Sequence, residues 1–161
     1  MGEQVQNKNE SNELLQLVSF KISNEEFGVD ILSVQEINRM LQITKMPNTP
    51  DFIEGVINLR GRVIPVLDLR VKLGMPRIEH DKNTRIIVVE LKGKTIGFIV
   101  DEVSEVLRIP KSITEAPPQM AGSVNSDYII SIGKLEDRLL ILLDLEKILS
   151  ENEFSLIDEA A

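Results

Sequence analysis

Residues Leu17 to Arg39 lie over Ile86 to Arg108 without a gap, at an offset of 69. Val18, Phe20 and Ile22 fall on Ile87, Val89 and Leu91, Gly28 on Gly97, Val34 on Val103, Glu36 on Glu105 and Arg39 on Arg108. Further along, the offset becomes 76. Leu59 falls on Leu135, Arg62 on Arg138, Leu67-Asp68-Leu69 on Leu143-Asp144-Leu145, and Leu73 on Leu149. The difference of seven residues places an insertion between Arg108 and Leu135, where Pro110, Pro117, Pro118 and Gly122 mark a long loop. Aliphatic coincidences between strands are cheap, but matched Gly, Glu, Arg and Asp are not. One unit used twice constrains the fold strongly, because both copies must adopt the same topology. Each copy reads as about five short strands and one helix, which suits a small barrel. A barrel of that size has a marginal core alone, so the two are expected to pack together.

Within the first copy, Gly55 to Leu69 holds two apolar, β-branched runs around a polar break. It predicts a hairpin with strands Val56–Leu59 and Arg62–Leu67, and Gly61 supplies a positive φ for the turn. Neither strand alternates cleanly, so the hairpin is expected to be covered on both faces. Arg60 on its turn reads either as a solvated arginine or as a rigidly held contact for an acidic or polar partner. Upstream, Val18, Phe20 and Ile22 alternate with Ser19 and Lys21, the pattern of a half-buried strand. Thr49 to Gly55 predicts one capped helical turn, with Thr49 as N-cap and Gly55 as terminator. Asp68 is expected to cap a short helix, Leu69 to Leu73, and Asp144 its counterpart. Ser150 and Glu153 have capping-box spacing for a last helix carrying Phe154 and Ile157. The expected organisation is a disordered polar tail, 1–13, followed by intertwined subdomains at about 14–83 and 84–150 and a C-terminal helix at 151–159.

The residue inventory narrows the chemistry. The chain has 161 residues, a formal charge of −8 and no cysteine, so disulfides and thiolate chemistry are excluded. Its acidity and 4% aromatic content disfavour nucleic acid. No apolar run has transmembrane length, and the chain reads as cytoplasmic. The single histidine, His80, lies in the polar linker 76–83 and has neither a triad nor a metal-ligand pattern around it. Asp68 and Asp144 read as helix caps rather than as a catalytic pair. Glu36 and Glu105, paired by the repeat, read either as outward strand residues or as contacts. There is no phosphate-cradling glycine loop. These features point to a binding surface, with no cofactor and no metal.

Three stretches carry a resemblance: Phe27-Gly-Val-Asp-Ile-Leu-Ser-Val-Gln-Glu-Ile37, Thr49-Pro-Asp-Phe-Ile-Glu-Gly-Val-Ile-Asn-Leu-Arg-Gly61 and Val63-Ile-Pro-Val-Leu-Asp-Leu69. With Gly97–Asp101, Asp137–Leu142 and the closing Ser155-Leu-Ile-Asp158, the chain resembles the bacterial chemotaxis coupling family, CheW. The resemblance implies a mainly β fold of two five-stranded barrels of the Src-homology-3 type on a shared core. It also implies a non-enzymatic adaptor, monomeric alone, that joins the cytoplasmic tips of chemoreceptors to the regulatory domain of the histidine kinase CheA. Recruitment to membrane-associated arrays would then go through these partners, without insertion into the membrane. Receptor contacts would fall on Val34, Glu36, Ile37, Gly55 and Arg60, and a kinase contact on Met120. The runner-up readings are an adaptor of a surface-motility kinase array and, from another class, a small-ligand-binding barrel.

Overall fold

The computed structural model describes residues 13–118 and 127–160; Met120 and residues 1–12 of the polar tail lie outside them. Eleven strands occur in chain order: β1 (Leu14–Ile22), β2 (Glu25–Asp30), β3 (Val34–Arg39), β4 (Ile53–Leu59), β5 (Arg62–Asp68), β6 (Arg85–Leu91), β7 (Lys94–Val100), β8 (Glu102–Pro110), β9 (Thr114–Glu115), β10 (Ile129–Lys134) and β11 (Leu139–Leu143). Three short helices join them: α1 (Leu69–Lys72), α2 (Leu145–Ile148) and α3 (Glu151–Ala160).

The strands form two sheets, ordered β8-β1-β2-β11-β10-β9 and β3-β6-β7-β5-β4. Under the two offsets, β6, β7, β3, β5 and β4 correspond to β1, β2, β8, β11 and β10. The order is therefore the same in both sheets, with β9 an addition to the first. The parallel pairs β5–β7 and β11–β2 also correspond. The repeat is a repeat of topology. Neither sheet is built from one copy alone. β3 pairs with β6 of the second copy, and β8 pairs with β1 of the first. The third strand of each copy thus crosses into the other sheet, and separating the sheets requires breaking both ladders.

The sheets are open ladders, where closed barrels were expected. In the second sheet the ends are β3 and β4. The gap is spanned by a single Thr44–Val56 bridge, with N–H to O bonds of 2.9 Å in both directions, and by an Arg60–Glu36 ion pair. One shared core lies between the sheets, built from Val18, Phe20 and Phe27 on one side and Ile87, Val89 and Phe98 on the other. Each sheet also covers a smaller cluster on its other face, around Ile57, Val66 and Val88 and around Leu17, Leu140 and Leu142.

The caps follow the sequence pattern. Asp68 accepts from Arg70 N–H at 2.9 Å and Asp144 from Glu146 N–H at 3.0 Å. Glu153 Oε1 accepts from Ser150 N–H at 2.9 Å and Ser150 Oγ from Glu153 N–H at 3.1 Å, which seats Phe154 and Ile157 in the shared core. Two expectations are corrected. Residues 49–55 hold one turn, closed by Ile53 N–H to Pro50 O at 3.1 Å, but no capped helix: Thr49 Oγ1 donates to Met46 O, and β4 begins at Ile53 because that residue pairs with Leu67. Ladder bonds to β5 outweigh the local capping preference. Ser19 is buried rather than solvent-facing. It lies at the β1–β8 bulge, where Oγ donates to Glu105 O at 3.1 Å and accepts from Glu105 N–H at 3.2 Å.

Candidate functional site

β3 is an edge strand, paired only to β6, and its residues alternate between half-buried and exposed. Register separates its two faces. Val34 opposes Val89 and Ile37 opposes Ile87, both in the shared core. Glu36 opposes Val88 and Asn38 opposes Ile86, both in the second sheet's own cluster. Directly opposed residues share a face. A bulge between Val34 and Glu36 makes this grouping possible. Val34 and Ile37 therefore line the side toward the first sheet, and Glu36 turns to the other side.

Arg60 meets Glu36 there. The β4–β5 turn is Arg60-Gly61, with φ of 52° and 87°, the double positive φ of the tight hairpin turn that matches strand twist. Asn58 Oδ1 pins it by accepting Gly61 N–H at 2.8 Å. Sequence reasoning assigned the positive φ to Gly61 alone. Arg60 shares it, at a cost that Asn or Gly would not carry. The β6–β7 turn at Lys92-Gly93 has the same pair of positive φ values, 50° and 77°, so the conformation belongs to the hairpin turn, and what sets Arg60 apart is its side-chain contact. Its guanidinium makes a forked contact with the Glu36 carboxylate, Nη1 donating at 3.1 Å to Oε1 and Nη2 to Oε2. Asn38 Nδ2 adds a bond to Oε1 at 2.8 Å. The Arg60 hydrogen bonds, with help from Asn38, hold the Glu36 carboxyl below its ordinary value. Glu36 stays ionised at neutral pH and orients an arginine whose side chain remains 71% exposed.

The second copy holds no equivalent. Its turn has Glu136 where the first has Arg60. Arg138, which matches Arg62, is bound to the buried Glu26, to Asp137 at 2.9 Å and to Glu105 at 3.5 Å. That arginine is committed internally, whereas Arg60 presents its free side outward.

Gly55 is brought to a different place. It is buried in β4 at φ 152°, under the segment that leads from β3 to the far edge of the sheet. A Cβ there would stand 2.3 Å from Thr44 O and 2.8 Å from Ile43 Cγ2. Gly55 permits residues 43–44 to close the sheet. Gly55→Ala is expected to destabilise the fold by about 1–3 kcal/mol through overpacking, read by urea unfolding. An unchanged midpoint would show that the 43–44 segment yields freely.

One surface escaped the sequence reading. Leu32, in a three-residue turn capped by Asp30, is 91% exposed, and Leu14 is 56% exposed. With Ile31 they border a shallow groove of about 280 Å³ along the start of β1. The signal was Asp30-Ile31-Leu32-Ser33 itself: an aspartate bonded to the N–H two residues on breaks the strand into a turn there. Among the described residues, no group of three or more His, Asp and Glu side chains converges as metal ligands, and no helix is long and apolar enough to cross a membrane.

Residues 16–153 match the family model described as the CheW-like domain. The chain belongs to the CheW family. It is 44% identical to chemotaxis protein CheW of Klebsiella aerogenes over 142 residues, covering 88% of this chain and 86% of that protein. It is 37% identical to chemotaxis protein CheW of Helicobacter pylori, covering 90% and 88%. The crystal structure of scaffolding protein TtCheW from Thermoanaerobacter tengcongensis aligns with a TM-score of 0.79 at 38% identity, covering 88% of this chain and 96% of that one. The two-sheet, mainly β architecture is thus the CheW fold. CheW membership covers both copies of the repeat, from β1 into α3.

Proposed function

We propose that this CheW-family chain is a non-enzymatic scaffold that couples the cytoplasmic tips of chemoreceptors to the regulatory domain of the histidine kinase CheA, in the cytoplasm, at receptor arrays. The observation that carries the reading is Arg60: exposed, held by Glu36 and fixed on a strained turn beside a free strand edge. A forked guanidinium suits carboxylates or the carbonyls at a helix end, which a receptor's helical hairpin provides. Val34 and Ile37, on the other face of β3, supply apolar contact. The kinase contact expected at Met120 lies outside the described residues, and the Leu14–Leu32 groove, of different chemistry, is a second surface on which a partner can seat. Two surfaces of unlike character on one rigid pair of interlocked sheets are what an adaptor requires.

The test is co-sedimentation with receptor fragments, with and without kinase. The reading expects binding to each partner separately and kinase in the pellet only when all three are present. Kinase that pellets equally well without this chain would overturn the coupling role.

A further inference from the structure

The charge of the chain is −8, yet three cations gather where β3 ends. Arg39 and Arg85 are directly opposed across the β3–β6 ladder, an arrangement that costs stability. Lys82 joins them around a depression of about 500 Å³ that Met40 and Thr84 also line. Among the described residues, no carboxylate pairs with any of the three. Arg85 Nη1 donates to the Lys82 and Thr84 carbonyls at 2.8 and 2.9 Å. The one acid at the rim, Asp81, makes no ion pair with them: its Oδ1 accepts from Asn83 N–H at 2.8 Å and Thr84 Oγ1 at 3.4 Å, closing its own turn, so three cations face one carboxylate. A like-charged pair without an ion-pair partner, in a protein of net charge −8, leaves a local excess of positive charge for an outside group to meet.

We infer that Arg39, Lys82 and Arg85 form a second recognition point, which takes acidic side chains of the helical partner seated along β3. This rests on the receptor reading above. Arg39 lies on the same face of β3 as Val34 and Ile37, two residues beyond Ile37. Two strand residues span about 6.7 Å, close to one helical turn of about 5.4 Å. A helix whose apolar side chain meets Ile37 would therefore bring an acidic residue one turn later to Arg39. A nucleic acid or an anionic membrane fits less well, because the remaining surface of the chain would repel an extended polyanion.

The experiment titrates a receptor-tip fragment against the wild-type protein, Arg39→Glu and Lys82→Glu, at about 50 mM and about 500 mM salt. Arg39→Glu should bind about tenfold more weakly at low salt, with the gap nearly closed at high salt. Its melting midpoint should hold or rise, since the substitution turns a like-charged pair into an attractive one. Lys82→Glu should show a smaller loss of the same salt dependence. Unchanged affinity, a loss that ignores salt, or a loss that follows a fallen melting midpoint would each overturn the inference. If the wild-type protein fails to bind the fragment at all, the receptor reading falls. The cluster is then judged on a helical peptide bearing glutamates one turn apart: salt-sensitive binding lost in Arg39→Glu sustains it, and no binding overturns it. Binding to phosphatidylglycerol vesicles that depends on Arg39 and exceeds binding to the protein probes would also overturn it, in favour of a lipid surface.

Discussion

Replacing Arg70 with alanine is expected to remove about 3 kcal/mol of folding stability, the low end for breaking a buried ion pair. The Arg70 side chain is 8% exposed and its partner Asp101 22% exposed. Arg70 lies buried in α1, which follows β5 of the second sheet, and three elements converge on it. Nε donates to Pro76 O at 2.9 Å, Nη2 to Ser23 Oγ at 2.9 Å, and Nη1 to the Asp101 carboxylate. Asp101 also accepts from Ser23 N–H at 2.7 Å, and its own N–H donates to Lys21 O at 3.1 Å. Asp101 stands between β7 and β8, where the chain leaves one sheet for the other, and Ser23 lies on the β1–β2 turn. The cluster therefore pins the crossover of the interlocked sheets. Partial exposure of Asp101, and the Ser23 bonds that it keeps, place the loss at the low end. For a chain of this size the melting midpoint should fall by roughly 6–12 °C. Urea unfolding should show a lower midpoint with an unchanged slope. A loss below about 1 kcal/mol would mean that the network is solvated in practice and that packing alone holds the crossover. Arg70 with Asp101→Asn in a double-mutant cycle separates the pair from the rest.

Arg60→Glu should abolish most receptor binding while leaving the fold and kinase binding nearly intact. The Arg60 side chain fills no cluster and is 71% exposed, against 25% for Glu36, so its removal costs little stability. The strained left-handed turn persists in either variant, so the melting midpoint should move little. Binding is different. The guanidinium would be desolvated against the receptor helix, and truncating one partner of such a contact weakens binding on the order of thirtyfold or more. Charge reversal goes further, because it sets a second carboxylate beside Glu36. Arg60→Ala should therefore fall between wild type and Arg60→Glu. Glu36→Gln should follow Arg60→Ala, since it releases the arginine from its orientation. The measurement is a paired titration of each variant against a receptor fragment and against the kinase regulatory domain, with thermal melting as control. Equal losses toward both partners, or a collapsed melting midpoint, would make Arg60 structural and move the receptor site elsewhere.

The order of elements was readable without any structure, because each rests on near neighbours in the chain. Asp68 and Asp144 cap the helices they precede, Ser150 and Glu153 close their box, and the hairpin turns at Arg60-Gly61. The two offsets carried the identical strand order of the sheets. Ser19 and the cap expected at Thr49 were misread because their outcomes depend on residues far away, Glu105 and Leu67, and the packing of Gly55 under Thr44 is as remote in the chain. A local capping preference is worth less than a ladder of strand bonds, and no sequence window contains both. The same limit applied to the site. Arg60 and Glu36 were each singled out, but their forked contact needs the two ends of an open sheet to curl together. Arg39 lies more than forty residues from Lys82 and Arg85 and meets them only because β3 crosses to pair with β6. Local capping and periodicity determined the elements and their repetition. The exchange of third strands, which sets faces and brings charges together, belonged to the tertiary structure, because strand pairing over long separations is chosen by whole-core packing.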